Sequence, residues 1–136
     1  MDIRIDNVKL QQVHSFKYLG FILEPNGRNE IQISERVGKA NNLYYAMSEG
    51  FINKKDVSKK TKITVYNTIY RSILTYRCES WVLAQQQKSK LQAVEMKYLR
   101  RVKGVTKMDK IRNETIKTEL QTESILEHIE MKQLRW

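Results

Sequence analysis

Residues 85–104, QQQKSKLQAVEMKYLRRVKG, decide the fold. The three glutamines are polar and open a helix. Leu91, Val94, Tyr98, Leu99 and Val102 follow, and at about 100° per residue they occupy one arc of it. Lys90, Lys97, Arg100, Arg101 and Lys103 occupy the complementary arc. Gly104 stands just past the last periodic residue, where glycine ends a helix. Such a helix packs on one side and can face phosphates on the other.

Working outward, the preceding segment carries the packing partner. Ser58 can cap a helix whose apolar positions are Ile63, Tyr66, Ile69, Tyr70, Ile73 and Leu74, a helical stripe that runs on toward Tyr76, Cys78 and Trp81. A short basic connector, residues 53–60, stands before it. Earlier still, Ile33, Val37, Ala40, Leu43, Tyr44 and Met47 share one helical face, with Asn29 as N-cap and Gly50 as stop. Downstream, residues 112–136 read as two shorter helices, and Ser124 with Glu127 has the spacing of a capping box. The first part reads as β. Val8 and Leu10 alternate with polar neighbours, and residues 13–23 form a second, mostly apolar stretch. Gly20 interrupts it as a bulge or a close backbone approach, and Pro25-Asn26-Gly27 turns the chain.

The expected fold is therefore mainly α: an N-terminal β strand pair over 1–28, a basic helical bundle over 29–104, and further helices over 105–136, four to five helices in all. A strand pair of this size is marginal alone, so it is expected to lean on a sheet that these residues do not supply.

The chain has 136 residues, with 25 Lys+Arg against 15 Asp+Glu and a formal net charge of +10. A hydrophobic share of 40% and a charged share of 29% exclude both a disordered tail and a membrane protein. No apolar run approaches the roughly 20 residues of a membrane span, and the start lacks the pattern of a signal peptide. One cysteine excludes an internal disulfide framework or a multi-cysteine zinc site and points to an intracellular, reducing compartment. The charge is uneven. Residues 31–110 hold 17 basic and 6 acidic residues, while 1–30 are neutral and 111–136 net −1. A positive folded middle suggests a polyanion, most often nucleic acid; a solubilising surface is the alternative.

Motifs for chemistry are missing. There is no GxxxxGK[ST], GxSxG or HExxH string. His14 and His128 lie on separate elements and read as structural, Cys78 as a buried inert thiol, and Asp2 and Asp6 as surface charges. Nothing supports a metal site.

Several strings taken together resemble one family. Phe16-Lys17-Tyr18-Leu19-Gly20, Arg36-Val37-Gly38-Lys39-Ala40, Tyr76-Arg77-Cys78-Glu79-Ser80-Trp81, Lys97-Tyr98-Leu99-Arg100-Arg101-Val102-Lys103-Gly104 and Gln133-Leu134-Arg135-Trp136 occur in this order over nearly the whole chain. They resemble the region after the active site of LINE-type (non-LTR) retrotransposon reverse transcriptases. Arg77 departs from the pattern, which commonly has glycine there.

The resemblance implies a non-catalytic fragment of an RNA-directed DNA polymerase: a palm edge, a thumb and the start of the post-thumb region. The two magnesium ions of the parent reaction would be held by carboxylates outside these residues, and no cofactor is expected in this chain. It further implies a thumb that contacts a template–primer duplex, RNA–DNA hybrid or other, through its phosphates and largely without regard to sequence. The candidates are Lys97, Arg100, Arg101 and Lys103, then Lys54, Lys55, Lys59, Lys60 and Lys62, each weighed against a plain solvated face. Gly20 would approach the primer end, or be a simple bulge. Tyr66, Tyr70, Tyr76, Tyr98 and Trp81 could stack on bases but coincide with the apolar stripes, so core packing is the expectation. A nuclear or cytoplasmic protein without a membrane partner follows. The other reading is a stand-alone basic helical module, derived from a decayed element, that binds nucleic acid or protein.

Overall fold

Helical periodicity in the middle of the chain is realised as a set of packed rods. The computed structural model describes residues 2–19, 21–24 and 29–135. Among them α1 spans Glu30–Met47, α2 Lys59–Val65, α3 Arg71–Leu74, α4 Gln85–Lys103, α5 Asn113–Glu119 and α6 Ile125–Arg135. A wide π turn, Tyr66–Tyr70, joins α2 and α3 without a break into one rod. Two small antiparallel strand pairs precede these elements, so the fold is mainly α.

The helix ends show which local signals act. The Ser58 hydroxyl accepts from the Thr61 N–H at 3.2 Å and caps α2. Gly104 stops α4 at φ 83°, and the Val105 N–H folds back onto the Arg100 carbonyl at 3.0 Å. Two expectations change. Asn29 holds the N-cap position of α1 without a capping bond from its side chain. Glu24 does that work instead, its Oε1 accepting from the Ile31 N–H at 2.7 Å. Gly50 does not stop α1, which widens into a π segment, Ser48–Ile52, and brings Ile52 into the core.

The N-terminal residues form two hairpins rather than one pair. β1 (Arg4–Ile5) pairs with β2 (Val8–Lys9) across Asp6 and Asn7, both at positive φ, as Asp and Asn tolerate. β3 (Phe16–Tyr18) pairs with β4 (Phe21–Leu23), so the stretch read as a single strand reverses beside Leu19, whose φ is 48°. An extended strand over 16–23 would leave its backbone N–H and C=O groups without partners; folding back pairs them locally. Gly20 and the Pro25-Asn26-Gly27 turn lie outside the described residues. The second hairpin docks on α1 through buried Ile22, whose N–H donates to Gln32 Oε1 at 2.9 Å, and through an exposed Lys17–Glu35 ion pair at 3.0 Å. Most other large apolar residues here, Ile5, Val8, Phe16 and Tyr18 among them, are more than half exposed.

One apolar core joins α1, the α2–α3 rod, α4, α5 and α6, running from Ile33 to Ile129. The segment from Val105 to Ile129 therefore shares the core of residues 29–104. At its centre the rings of Tyr66, Tyr70 and Tyr98, all fully buried, lie with centroids 4.9 to 5.7 Å apart. Each hydroxyl has a partner: Glu95 Oε1 at 3.3 Å, the Val94 carbonyl at 3.0 Å and the Lys62 carbonyl at 2.8 Å. In the α2–α3 rod the buried line is Tyr66, Tyr70 and Leu74, a spacing of four set by the π turn. Ile69, assigned to the stripe by a regular period, is left 46% exposed.

Glu95 is fully buried in the same place. Its Oε1 also accepts from the Ile125 N–H at 2.9 Å, and Lys117 Nζ lies 3.6 Å from Oε2. Burial holds this carboxyl above its ordinary value of 4.5, against the pull of Lys117. The resulting stability is complete below about pH 4.5 and is lost as pH rises through the raised native value. Urea titrations should show the wild type losing stability relative to Glu95→Gln as pH increases from 4.5; a pH-independent difference would contradict the assignment. Glu95→Ala leaves Tyr66 and Ile125 without their acceptor and should cost about 3 kcal/mol at neutral pH.

Arg77 sits at φ 58° and ψ 34°, the left-handed conformation in which a Cβ costs about 1–2 kcal/mol. Arg77→Gly removes that cost and adds chain entropy to the unfolded state, for an expected net gain of about 0.5 kcal/mol, read as a higher thermal midpoint.

Candidate nucleic-acid interface

α1 packs alongside α4, with Ala40 and Tyr44 buried from the first and Val94, Tyr98 and Leu99 from the second. Next to this seam lies an open cleft of about 520 Å³, lined by Asn41, Tyr44, Ala93, Val94, Lys97, Arg100, Arg101, Val105, Thr106 and Lys107. Positions 93, 97, 100 and 101 recur at i, i+4 and i+7/8, so α4 turns them to one side. The chain then doubles back at once. Thr106 accepts from the Met108 N–H at 3.2 Å while Asp109 accepts from the Thr106 N–H at 2.7 Å, a reciprocal cap that brings Lys107 to the cleft wall.

Four cations and no carboxylate line this cleft. Lys97 donates to the Tyr45 hydroxyl at 2.8 Å and to Asn41 Oδ1 at 3.4 Å, and its Nζ sits 4.7 and 4.1 Å from the ring centroids of Tyr44 and Tyr45. Arg101 is exposed, with Nε donating to the Tyr44 hydroxyl at 3.3 Å. Arg100 is half-buried and holds the chain beyond α4, its Nη2 donating to the Ile111 carbonyl at 3.0 Å and to Asn113 Oδ1 at 2.7 Å. Lys107 is exposed. All the hydrogen-bond partners named are neutral, and among the described residues none of the four cations makes an ion pair. No carboxylate offsets their charge, and only that of Lys97 is met by ring faces.

The candidates named from sequence thus separate. Lys97, Arg100 and Arg101 converge on the cleft. Lys103 leaves it and pairs with Glu119 of α5. Lys59 and Lys60 are exposed along a different hollow of about 410 Å³ that includes Glu119 and shares no lining residue with the cleft. Lys54 and Lys55 are exposed in the turn before α2. Lys62 is only 6% exposed, on the inner side of α2 where its carbonyl accepts from Tyr98, and this corrects its grouping with the surface lysines. Gly20 lies outside the described residues.

Lys107, Asn41 and Tyr45 also belong to the site, and no helical period or cationic arc of the sequence points to them. The Thr-x-x-Asp spacing after Gly104 is the signal that would have found Lys107. Tyr66, Tyr70, Tyr98 and Trp81 are core residues, whereas Tyr76 is 42% exposed beneath the Arg36 and Arg77 guanidinium groups. Burial pushes the Cys78 thiol up to about 11, so it stays protonated. His128 bonds Glu123 Oε1 at 3.0 Å, and burial holds its imidazole below the ordinary value. Among the described residues no three His, Cys, Asp or Glu side chains gather as metal ligands, and no helix is long and apolar enough to cross a membrane.

Compared with protein-family models, curated proteins and solved structures, the chain matches none.

The geometry gives Arg100 and Arg101 different duties. Arg100→Ala should lower unfolding free energy by about 1.5–3 kcal/mol through the loss of two charge-assisted bonds. Arg101→Ala should stay within about 0.5 kcal/mol of wild type. Paired urea melts check both.

Proposed function

We propose that this chain binds nucleic acid through its phosphates, as the thumb region of a LINE-type reverse transcriptase would, and carries no chemical step itself. The parent activity implied by the resemblance is RNA-directed DNA synthesis, with the catalytic carboxylates and their metal ions outside these residues. One observation supports the reading above the rest: the α1–α4 cleft gathers Lys97, Arg100, Arg101 and Lys107 with no acidic residue in its lining. Cations on a solvated face are commonly interspersed with carboxylates, as Lys103 and Glu119 are here. Four cations without an acidic partner in one hollow suit a ligand that brings its own negative charge. Lysine and a monodentate-accessible arginine at a helix end match phosphate oxygens, and no side-chain set here is arranged to read base edges.

Fluorescence anisotropy against a blunt RNA–DNA hybrid, as a function of salt, tests the proposal. Affinity should fall steeply with salt and vary little with sequence. The double variant Arg101→Ala/Lys107→Ala should reduce the log–log salt slope by roughly two units while melting like wild type. An unchanged slope removes the cleft from the contact, and no binding to any polyanion in dilute buffer ends the reading.

A further inference from the structure

A duplex gripped by its backbone needs cations on a surface; it does not need a hollow beneath them. The α1–α4 cleft has one, and much of its wall is apolar: Ala93 and Val94 of α4, Val105 of the following turn and the ring of Tyr44. Its volume of about 520 Å³ falls in the roughly 300–1,000 Å³ range of pockets that enclose small ligands. Ala93 and Val94 give α4 an apolar start to the cleft, Lys97 follows them, and the two arginines stand at the end beside Val105. Ala93 and Val94 stand two turns before Arg100 and Arg101, about 10.5 Å at 1.5 Å per residue, and Lys107 returns to the arginine end. Arg100 is fixed there by its bonds to Ile111 and Asn113, so part of the charge is held in place before any ligand arrives.

Resting on the reading of the cleft as a nucleic-acid contact, we propose that it receives one unpaired nucleotide, the base against Ala93 and Val94 and the phosphate on Arg101 and Lys107. A base offers a flat apolar face and a phosphate its charge, and the linked pair is the unit that satisfies both walls at once. An inorganic anion would leave the apolar wall unused, and an apolar ligand would leave the cations unanswered. The base is held by its face rather than its edge. Asn41 and Thr106 are the polar groups beside that wall; Asn41 Oδ1 already accepts from Lys97 and Thr106 Oγ1 from the Met108 N–H, which leaves too few groups to tell one base edge from another. Purine and pyrimidine nucleotides should therefore bind within a few-fold of one another. The site extends the function from gripping duplex to receiving a nucleotide that has left the stack.

The test is a ¹⁵N-resolved NMR titration of the full chain with adenosine 5′-monophosphate, ribose 5-phosphate and adenosine, beside anisotropy against the blunt hybrid. The monophosphate should shift the amides of Ala93, Lys97 and Val105. Removing the base or the phosphate should weaken binding about tenfold or more. Ala93→Trp, which fills the hollow from an exposed position without altering charge, should abolish the shifts. Ribose 5-phosphate binding as tightly as the monophosphate would overturn the proposal, leaving a plain anion site. So would hybrid binding with no monophosphate shift at these amides, which removes the pocket and leaves the duplex grip standing. Monophosphate binding without hybrid binding would remove the grip and keep the pocket.

Discussion

The arrangement of the helices depends on the buried carboxyl group of Glu95. From the middle of α4 it accepts from Tyr66 of the α2–α3 rod and from the first N–H of α6, and it lies near Lys117 of α5. Taking a carboxyl group out of water is costly; two donors on Oε1 offset part of that cost, while Oε2 has no hydrogen bond and only Lys117 at 3.6 Å, which is why burial favours the neutral form. Each partner comes from a different element, so moving any one of them exposes the imbalance. The three stacked tyrosines add a second, apolar constraint on the same side of α4. Tyr98 contributes both its ring and a hydroxyl bond to the Lys62 carbonyl.

Fixing that side of α4 also fixes the other. At 100° per residue, Ala93 and Lys97 lie about 160° around the helix from Glu95. The interactions that lock Glu95 and Tyr98 inward therefore turn Ala93, Lys97 and Arg101 outward, beside α1. The C-terminal end of α4 carries about half a negative charge from its backbone dipoles, and basic residues in the last turn answer it. Arg100, Arg101 and Lys103 occupy that turn. Lys103 is paired with Glu119, and Arg100 and Arg101 alone already exceed the dipole; the cleft adds Lys97 and Lys107 to them. Stabilising a helix end does not account for them.

Much of this was written in the sequence, and what was not has identifiable reasons. The stripe from Leu91 to Val102 is buried as its period requires, and Ser58 and Gly104 mark helix ends through their own chemistry. Periodicity even separates the cations: Arg101 lies about 40° from Lys97 around α4, and Lys103 about 120° the other way. That Lys103 meets a carboxylate follows only from α5 folding back. The π turns escaped because a regular 3.6-residue period has no place for an extra residue, and that one residue moved Ile52 inward and Ile69 outward. The Glu24 cap escaped because its acceptor comes from another element. Arg77 is the reverse case. The reverse transcriptase pattern that these strings resemble commonly has glycine there, and the backbone is left-handed at that residue, where a side chain is costly.

The hairpins stand in a different relation to the rest. Their strands are two or three residues long, below what a strand pair needs to hold itself. Ile22, the Gln32 bond and the Glu24 cap tie the second hairpin to the start of α1. Every residue lining the cleft comes from 41–107, and Asn41 and Tyr44 sit some three turns along α1 from that attachment. Shifts of the hairpins would act on the end of a helix whose far half is locked by Ala40 and Tyr44 against α4. The geometry of the cleft is thus a property of the helical core, set by Glu95 and the tyrosines, and is insulated from whatever the exposed apolar face of the hairpins meets.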